Sequence, residues 1–416
     1  MADDIQKSCG LDIHKKFVIA TVLTRRKTMK IQKRFERDDD GILSLKNFVL
    51  AEKCEVVACE STNDFWMPIY DAMCDHVTVI VGNARDIKGQ THKKTDKVDS
   101  EYIALLALNG MIKPSRVFSR DFRQIRSHVR LRHKLVKKRT DLKNIIHSIL
   151  SSEQFNLRSK LTDIFGKTGK TILEGIIKGL PVDTIIKKFP TCMIGKAEEF
   201  KELLEREISQ DAIFRLKECM NCIFQLDKSI KILETRIYEW TSTNHKDKMK
   251  KLISIPGIGK TSAMTLIAEI GDFKDFSDGD KLSSWLGLVP NVYQSANKFY
   301  NSRITKRGSK VARWILIQVA HVIASKTKNN ALRAFFDRKK ATIGYNKAIV
   351  ALAHKLARII WHLIVNDEIY EDNVGFKKKN IKFTPPIYHN SISVDECITI
   401  IFQANAVLTQ KDPDRI

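Results

Sequence analysis

The sequence predicts an α/β amino-terminal region followed by a largely helical remainder. Two observations carry this. From residue 1 to about 112, short β-rich runs bounded by polar residues precede a helix. From about 118 onward, apolar residues instead recur at steps of three and four, the period of a helix. The boundaries expected are 1–112 for the α/β domain, 113–248 for a helical coiled-coil region, 249–366 for an all-α domain, and 367–416 for a peripheral tail.

In the first region, CGLDIHKKFVIATVL reads as a strand, a tight turn and a second strand, and EVVACES and VTVIVGN as two more strands. TDKVDSEYIALLALNG then reads as a helix from about Asp96, with Thr95 as its N-cap and Gly110 as its stop. In the middle region, Ile213, Leu216, Met220, Ile223, Leu226, Ile230, Leu233, Ile237 and Trp240 form a seam. It suits a helical hairpin packed on itself and a dimerising arm equally. Between the two long helices, 151–195 reads as shorter helical pieces with GKTGK and GLP as breaks. TSTNHKDKMKK reads as a linker, and the tail beyond Glu368 turns basic and proline-containing.

The charge balance points to a partner. The 416 residues carry 72 Lys and Arg against 48 Asp and Glu, a formal net charge of +24. A surplus of that size attracts polyanions, nucleic acid first. The longest candidate run, Trp314 to Ala324, is interrupted by Gln318 and His321, and no run is expected to reach the roughly 18–20 residues that cross a bilayer. The start, MADDIQKSCG, lacks the apolar core of a signal peptide. A soluble, cytoplasmic protein with no membrane partner is expected. Eight cysteines at irregular spacing read as free thiols, and the lone CxxC, Cys219 and Cys222, has no second pair for a zinc site.

Four carboxylates stand at positions that suit a metal. Asp12 and Glu60 end strand-like runs, and Asp96 and Asp99 are three apart at a helix start. Hard oxygen donors favour magnesium or manganese over zinc. Two such ions suit phosphoryl transfer. Each acid alone also reads as a solvated charge, and the pair at 96 and 99 as residues favoured by the helix dipole.

The stretch LISIPGIGKTSAMTLIAEI reads as a helix-hairpin-helix, with Gly257 and Gly259 admitting a phosphate and Lys260 opening the next helix. A nucleotide-binding loop of the Walker type is excluded, because Ser254 stands where its first glycine is needed. A tight turn that binds nothing is the plain alternative. Further on, Ser295 is expected in a polar loop between two helices, followed by Lys298, Arg303, Lys306, Arg307, Lys310 and Arg313. A hydroxyl among cations can attack a phosphate. By chemistry alone Ser283, Ser284, Ser302 and Ser309 compete with it. From Arg120 to Lys143, the residues Arg123, Arg126, Arg130, Lys134 and Lys137 form one cationic stripe expected to meet phosphates.

These motifs together resemble one family. GLDIHK, ACES, KTDKVDSEYIALLA, SIPGIGKTSA, WLGLVP, YQS and RITKRGSKVAR occur in order over about residues 8–366. They are similar to motifs of the insertion-sequence 110 family of RuvC-like DEDD transposases, which resemble pilin-gene invertases. The resemblance implies an RNase H-like first domain, a coiled-coil middle and a helical transposase domain. It implies Mg2+ (two ions, with Mn2+ as a substitute) on Asp12, Glu60, Asp96 and Asp99, and Ser295 as a nucleophile that links covalently to DNA. It also implies a structured bridge RNA, and oligomers in which the serine of one subunit meets the carboxylates of another. One departure stands out: the family is glycine-rich after the serine, whereas this chain has Ala296 and Asn297. The competing expectations are a structure-selective nuclease using metal-bound water, and a nucleic-acid-binding remnant that no longer cuts.

Overall fold

Alternation along the first strand sorts its side chains between two covered faces. In β1 (Lys7–Ile13) Cys9 and Leu11 enter an apolar cluster, while Ser8 and Gly10 meet a helix on the opposite face. The computed structural model describes residues 5–25, 29–87, 96–295, 298–328 and 330–372. The chain divides into two units, Met1–Met249 with Ala263–Asp272, and Lys250–Ser262 with Phe273–Ile416.

The first unit opens with β1, β2 (Phe17–Thr24), β3 (Lys30–Glu36), α1 (Asp39–Ala51), β4 (Val56–Glu60), α2 (Trp66–Met73), β5 (Thr78–Gly82), a short α3 (Ala84–Ile87) and α4 (Asp96–Leu108). Thr95, the expected N-cap of α4, lies outside the described residues. The sheet order is β3-β2-β1-β4-β5. β1–β2 and β2–β3 are antiparallel, and β1–β4 and β4–β5 are parallel. Leu45 and Val49 of α1 and Trp66, Ile69 and Met73 of α2 pack on the face that carries Cys9, Leu11, Val57 and Cys59. Ile103 and Ala107 of α4 pack on the other face, with Val56 and Ala58. The mixed sheet matches the expected α/β class. β3 is an addition, since KIQKRFE shows little apolar alternation. It is an edge strand that buries only Phe35, and an edge needs few apolar contacts to pair.

α5 (Arg120–Ser152) is followed by α6 (Lys167–Ile177), α7 (Val182–Lys187), α8 (Ala197–Leu204) and α9 (Gln210–Asn244). α5 and α9 form an antiparallel hairpin. Arg132 pairs with Glu234 at 2.6 Å and Arg139 with Asp227 at 2.5 Å. At the far end Glu153 accepts from the Ser209 amide and hydroxyl, each at 3.0 Å. Leu216, Ile223, Ile230 and Ile237 are buried along α9 at heptad spacing. Of the two readings of the seam, packing of the hairpin on itself is the one observed within the chain. α6, α7 and α8 close the hairpin's far end over Phe155, Ile172 and Phe200.

Two local expectations are corrected. GKTGK marks a helix start and not a gap within it: Gly166 is the N-cap of α6, which begins at Lys167, and Gly169 is buried against the Ile164 carbonyl. The break comes at GLP, where Gly179 takes φ +60. TSTNHKDKMKK is not an open linker. α9 runs to Asn244 and α10 (Lys246–Ser254) follows at once, with only His245 between them.

The second unit contains most of α10, the start of α11 (Lys260–Ile270), α12 (Gly279–Trp285), a hairpin of β6 (Pro290–Ser295) and β7 (Lys298–Ile304), α13 (Lys310–Lys326), α14 (Ala331–Ile343) and α15 (Tyr345–Val365). α15 buries Ala348, Leu352, Leu356 and Ile360 and packs on α12, α13 and α14. It is long and apolar enough to cross a membrane, and half of it is buried among its neighbours. The start of the expected tail is fastened here: Asp367 pairs with Lys251, and the Tyr370 amide donates to Ser254 Oγ at 3.0 Å. The rest of the tail, 373–416, lies outside the described residues.

Candidate active site

Asp12, next to last in β1, and Glu60, last in β4, lie at the same end of adjacent parallel strands. The register pairs Leu11 with Cys59, so Asp12 and Glu60 follow next on each strand. In-register neighbours on parallel strands point to one face, with strands about 4.8 Å apart. By alternation that face is the one carrying Gly10 and Ala58, against which α4 lies.

α4 is fastened there by close approach and by buried polar contacts. A Cβ on Gly10 would lie 2.2 Å from the Ser100 carbonyl and 2.3 Å from the Ala104 amide. No other residue type fits this crossing unshifted. Ser8 Oγ donates to the Ala104 carbonyl at 2.8 Å. The Ser100 and Thr21 hydroxyls share a hydrogen bond of 2.8 Å, and Gln32 Nε2 donates to both. With Ala104 beside Ser8 and Ser100 beside Gly10, the start of α4 runs toward the Asp12 end of β1. Asp99 therefore lies on the same side as Asp12. The side chain of Asp96 lies outside the described ones.

Each strand-end carboxylate has a polar neighbour two residues further on. His14 Nε2 is 2.9 Å from Asp12 Oδ2, and the imidazole packs against the Phe17 ring at a tilt of 30°. Thr62 Oγ1 donates to Glu60 Oε2 at 3.1 Å. Neither residue stood out in the sequence; their signal was the i+2 spacing from a strand-end acid. Just before Glu60, burial and the Glu60 charge push the Cys59 thiol up to about 12. Among the described residues no three acid, imidazole or thiol groups are placed so that they could hold a metal ion together. Asp12, Glu60 and Asp99 offer oxygen donors, the type that a hard divalent cation prefers.

Ser295 is not in a loop between helices. It is the last residue of β6 and pairs with Lys298, the first residue of β7. Ala296 and Asn297 lie outside the described residues, as do the side chains of Ser295, Lys298 and Ser302. Arg303 near the end of β7, and Lys306 and Arg307 after it, are exposed. Among the rival serines, Ser283 is buried and donates to the Gly279 carbonyl, and Ser309 caps α13 by accepting from the Ala312 amide at 3.1 Å.

Several cations expected to meet phosphate are engaged by the protein itself. Arg313 is 8% exposed, and its Nη1 donates to the Leu286 and Arg307 carbonyls at 2.9 and 3.0 Å. Burial lowers its pKa. The stripe on α5 is likewise interrupted. Arg123 pairs with Asp71 and donates to the Phe118 carbonyl. Arg126 and Arg130 both hold Glu269, a fully buried carboxylate on α11, with Arg130 Nε at 2.9 Å. Burial pulls Arg126 down to about 10, while hydrogen bonding to Glu269 raises Arg130. Removing one member of such a set leaves buried charge uncompensated. Lys134 and Lys137, further along the stripe, are exposed.

The SIPGIG turn also divides. Gly257 takes φ +85, and a Cβ there would meet Ile323 at 3.0 Å, so it serves the packing of α13. Gly259 has open space beside it, and Lys260 is exposed at the start of α11.

Two family models match the chain. One, a transposase model of the IS110 DEDD type, covers residues 9–154. The other, described as transposase IS116/IS110/IS902 family, covers residues 249–337. The chain is 27% identical over 290 residues to the transposase for insertion sequence element IS1111A of Coxiella burnetii, spanning 67% of this chain and 68% of the relative. It is equally similar to a probable family 20 transposase of Pseudomonas aeruginosa, over 68% and 75% of the two chains. It is 28% identical over 196 residues to a pilin gene-inverting protein of Moraxella bovis, over 44% and 59%.

Proposed function

Because this chain belongs to the IS110/IS116 transposase family, we propose that it is a DNA recombinase that cuts and rejoins strands through a covalent serine–DNA intermediate. The observation that carries the reading is that Asp12, Glu60 and the start of α4 lie at one end of the sheet. Asp12 and Glu60 stand at the same end of two parallel strands, and α4, with Asp96 and Asp99 in its first turn, is locked over the same face by Gly10. Strand order and direction suit an RNase H-like domain, and two helices joined by the SIPGIG turn suit a helix-hairpin-helix.

In this reading Asp12, Glu60, Asp96 and Asp99 hold Mg2+, two ions with Mn2+ as a substitute. The metal supplies Lewis-acid polarisation of the scissile phosphate and stabilises charge on the oxygens that attack and leave. His14 and Thr62 orient the carboxylates of Asp12 and Glu60 through the hydrogen bonds they make to them. Ser295 Oγ attacks phosphorus, forming a phosphoserine bond as the bond to the departing deoxyribose oxygen breaks. The serine proton is lost, and the departing oxygen gains one. A hydroxyl of a second strand end then attacks the phosphoserine and releases the serine, so no phosphodiester energy is lost. The exposed Lys260, Arg303, Lys306 and Arg307 hold phosphates on either side of the reaction. The serine of one subunit works with the carboxylates of another in an oligomer, and a structured guide RNA selects the DNA.

The test uses the full chain with DNA ends of its element, RNA from the element's flanks and Mg2+. Wild type should exchange strands and give a protein–DNA adduct that survives denaturation. Ser295→Ala should give neither adduct nor exchange. Asp12→Asn should lose activity and also bind Mn2+ more weakly in calorimetry. Cleavage that persists in Ser295→Ala would replace this reading with a nuclease that uses water.

A further inference from the structure

We infer that the α14–α15 corner is a docking surface for the phosphate backbone of duplex DNA. The inference rests on the recombinase reading only for the identity of the polyanion. Between Ala331 and Arg358 there are seven Lys and Arg residues and one acid, Asp337. That acid is engaged by Arg333 at 2.8 Å.

The fold gathers these charges. Phe335 of α14 is ringed by three cations, with Lys355 Nζ of α15 4.4 Å from the ring centroid, Arg338 Cζ at 5.9 Å and Lys339 Nζ at 6.0 Å. Burial and the neighbouring Arg338 and Arg358 push the Lys355 ammonium below its ordinary pKa. Another helix brings in an acid, Asp280 of α12, 3.1 Å from Arg358 and 3.8 Å from His354. Arg338, Lys339 and Lys340 are exposed in the last turns of α14, beside the exposed turn around Gly344.

Like charges crowded on two packed helices repel one another, and a polyanion relieves that repulsion while releasing its own counterions. Two features favour a duplex over a single strand. The cations spread over two helices rather than along a groove. The Phe335 ring is occupied by cations, whereas single-strand sites offer open aromatic faces to bases. Phosphate binding of this kind positions DNA without reading its sequence.

The experiment is fluorescence anisotropy on the full chain with a random-sequence duplex, across a salt series and without divalent metal. One variant carries Arg338→Gln, Lys339→Gln and Lys340→Gln. A control variant carries Lys187→Gln, Lys188→Gln and Lys196→Gln, which removes the same charge from exposed positions of the first unit. A single Lys339→Glu variant guards against misfolding of the triple variant, and thermal melts check that all three fold. The corner variant should bind about tenfold more weakly, with the log–log salt slope reduced by about 3, near 0.9 for each phosphate no longer neutralised. Lys339→Glu should weaken binding in the same direction. Equal losses in corner and control variants would show a general charge effect and overturn the inference. Loss confined to a structured RNA probe would overturn the assignment to DNA. Unchanged duplex binding in the corner variant would overturn the inference and leave the recombinase reading intact. A wild-type chain that binds no duplex would overturn both.

Discussion

At the residue scale, one missing side chain does more for the candidate site than most side chains present. Gly10 lets α4 cross β1 so closely that a methyl group would meet backbone atoms on two successive turns. Backbone cannot swing aside as a flexible side chain does, so Gly10→Ala should cost about 3 kcal/mol in urea unfolding of the full chain. It should also weaken Mn2+ binding in calorimetry, because α4 carries Asp96 and Asp99. An alanine variant with wild-type stability and metal affinity would refute this account of the crossing. The acids were legible because they stood at the ends of apolar strand runs and at a helix start, features that depend on neighbours in sequence. The arginines were less so. Arg123, Arg126, Arg130 and Arg313 read as a phosphate-binding set, yet their partners are Asp71, Glu269 and the Leu286 carbonyl. All of these but Leu286 lie more than 50 positions away in the chain.

At the scale of elements, α9 illustrates what periodicity carries. The seam predicted a long helix with one apolar stripe, and Leu216, Ile223, Ile230 and Ile237 form that stripe. Periodicity left the partner helix open, and the ion pairs to Arg132 and Arg139 identify it as α5. The end of this hairpin is closed by an aromatic group. Phe122 stacks on His245 with centroids 5.3 Å apart, and Trp240 meets the same imidazole edge-on at 4.8 Å. Burial first, and then Lys248, lower the His245 pKa. A depressed imidazole pKa means that the unfolded chain binds the proton more readily. The stability it contributes is therefore complete above the ordinary value of about 6.5 and is lost as pH falls below it. The melting temperature should drop between pH 7.5 and 5.5, and His245→Phe should make that drop shallower. Part of it should persist, because burial also lowers His133 and His147. An unchanged pH dependence in His245→Phe would exclude His245 as a contributor. The linker misreading has the same root: TSTNHKDKMKK has Met249 as its one apolar residue, and so polar a helix looks like a loop when the partners that bury Thr241, Met249 and Lys251 are out of view.

At the scale of the whole molecule, the surplus of 24 positive charges has one consequence that does not depend on the site. Nucleic-acid affinity should fall steeply with salt. With about six phosphates neutralised, the log–log slope should be near −5, and affinity should drop roughly a thousandfold between 50 and 200 mM salt. A salt series on the wild-type chain measures this directly, and a nearly flat dependence would mean that the surplus charge does not meet phosphate.

The mixed α/β start, the mostly helical remainder, the heptad stripe of α9 and the basic character were readable from residue type and spacing, whereas β3 and the β6–β7 hairpin inside the region expected to be all-α were not. Each readable feature depends on local geometry or on simple sums. The motif set also pointed to the family that the comparisons then matched. Tertiary structure decided which cations look outward, that Gly257 packs while Gly259 stays open, that Ser295 ends a hairpin strand, and that α14 and α15 bring their charges together. The physical reason is that a charged group's role is set by what lies within a few ångströms of it, and in this chain those neighbours come from distant parts of the sequence.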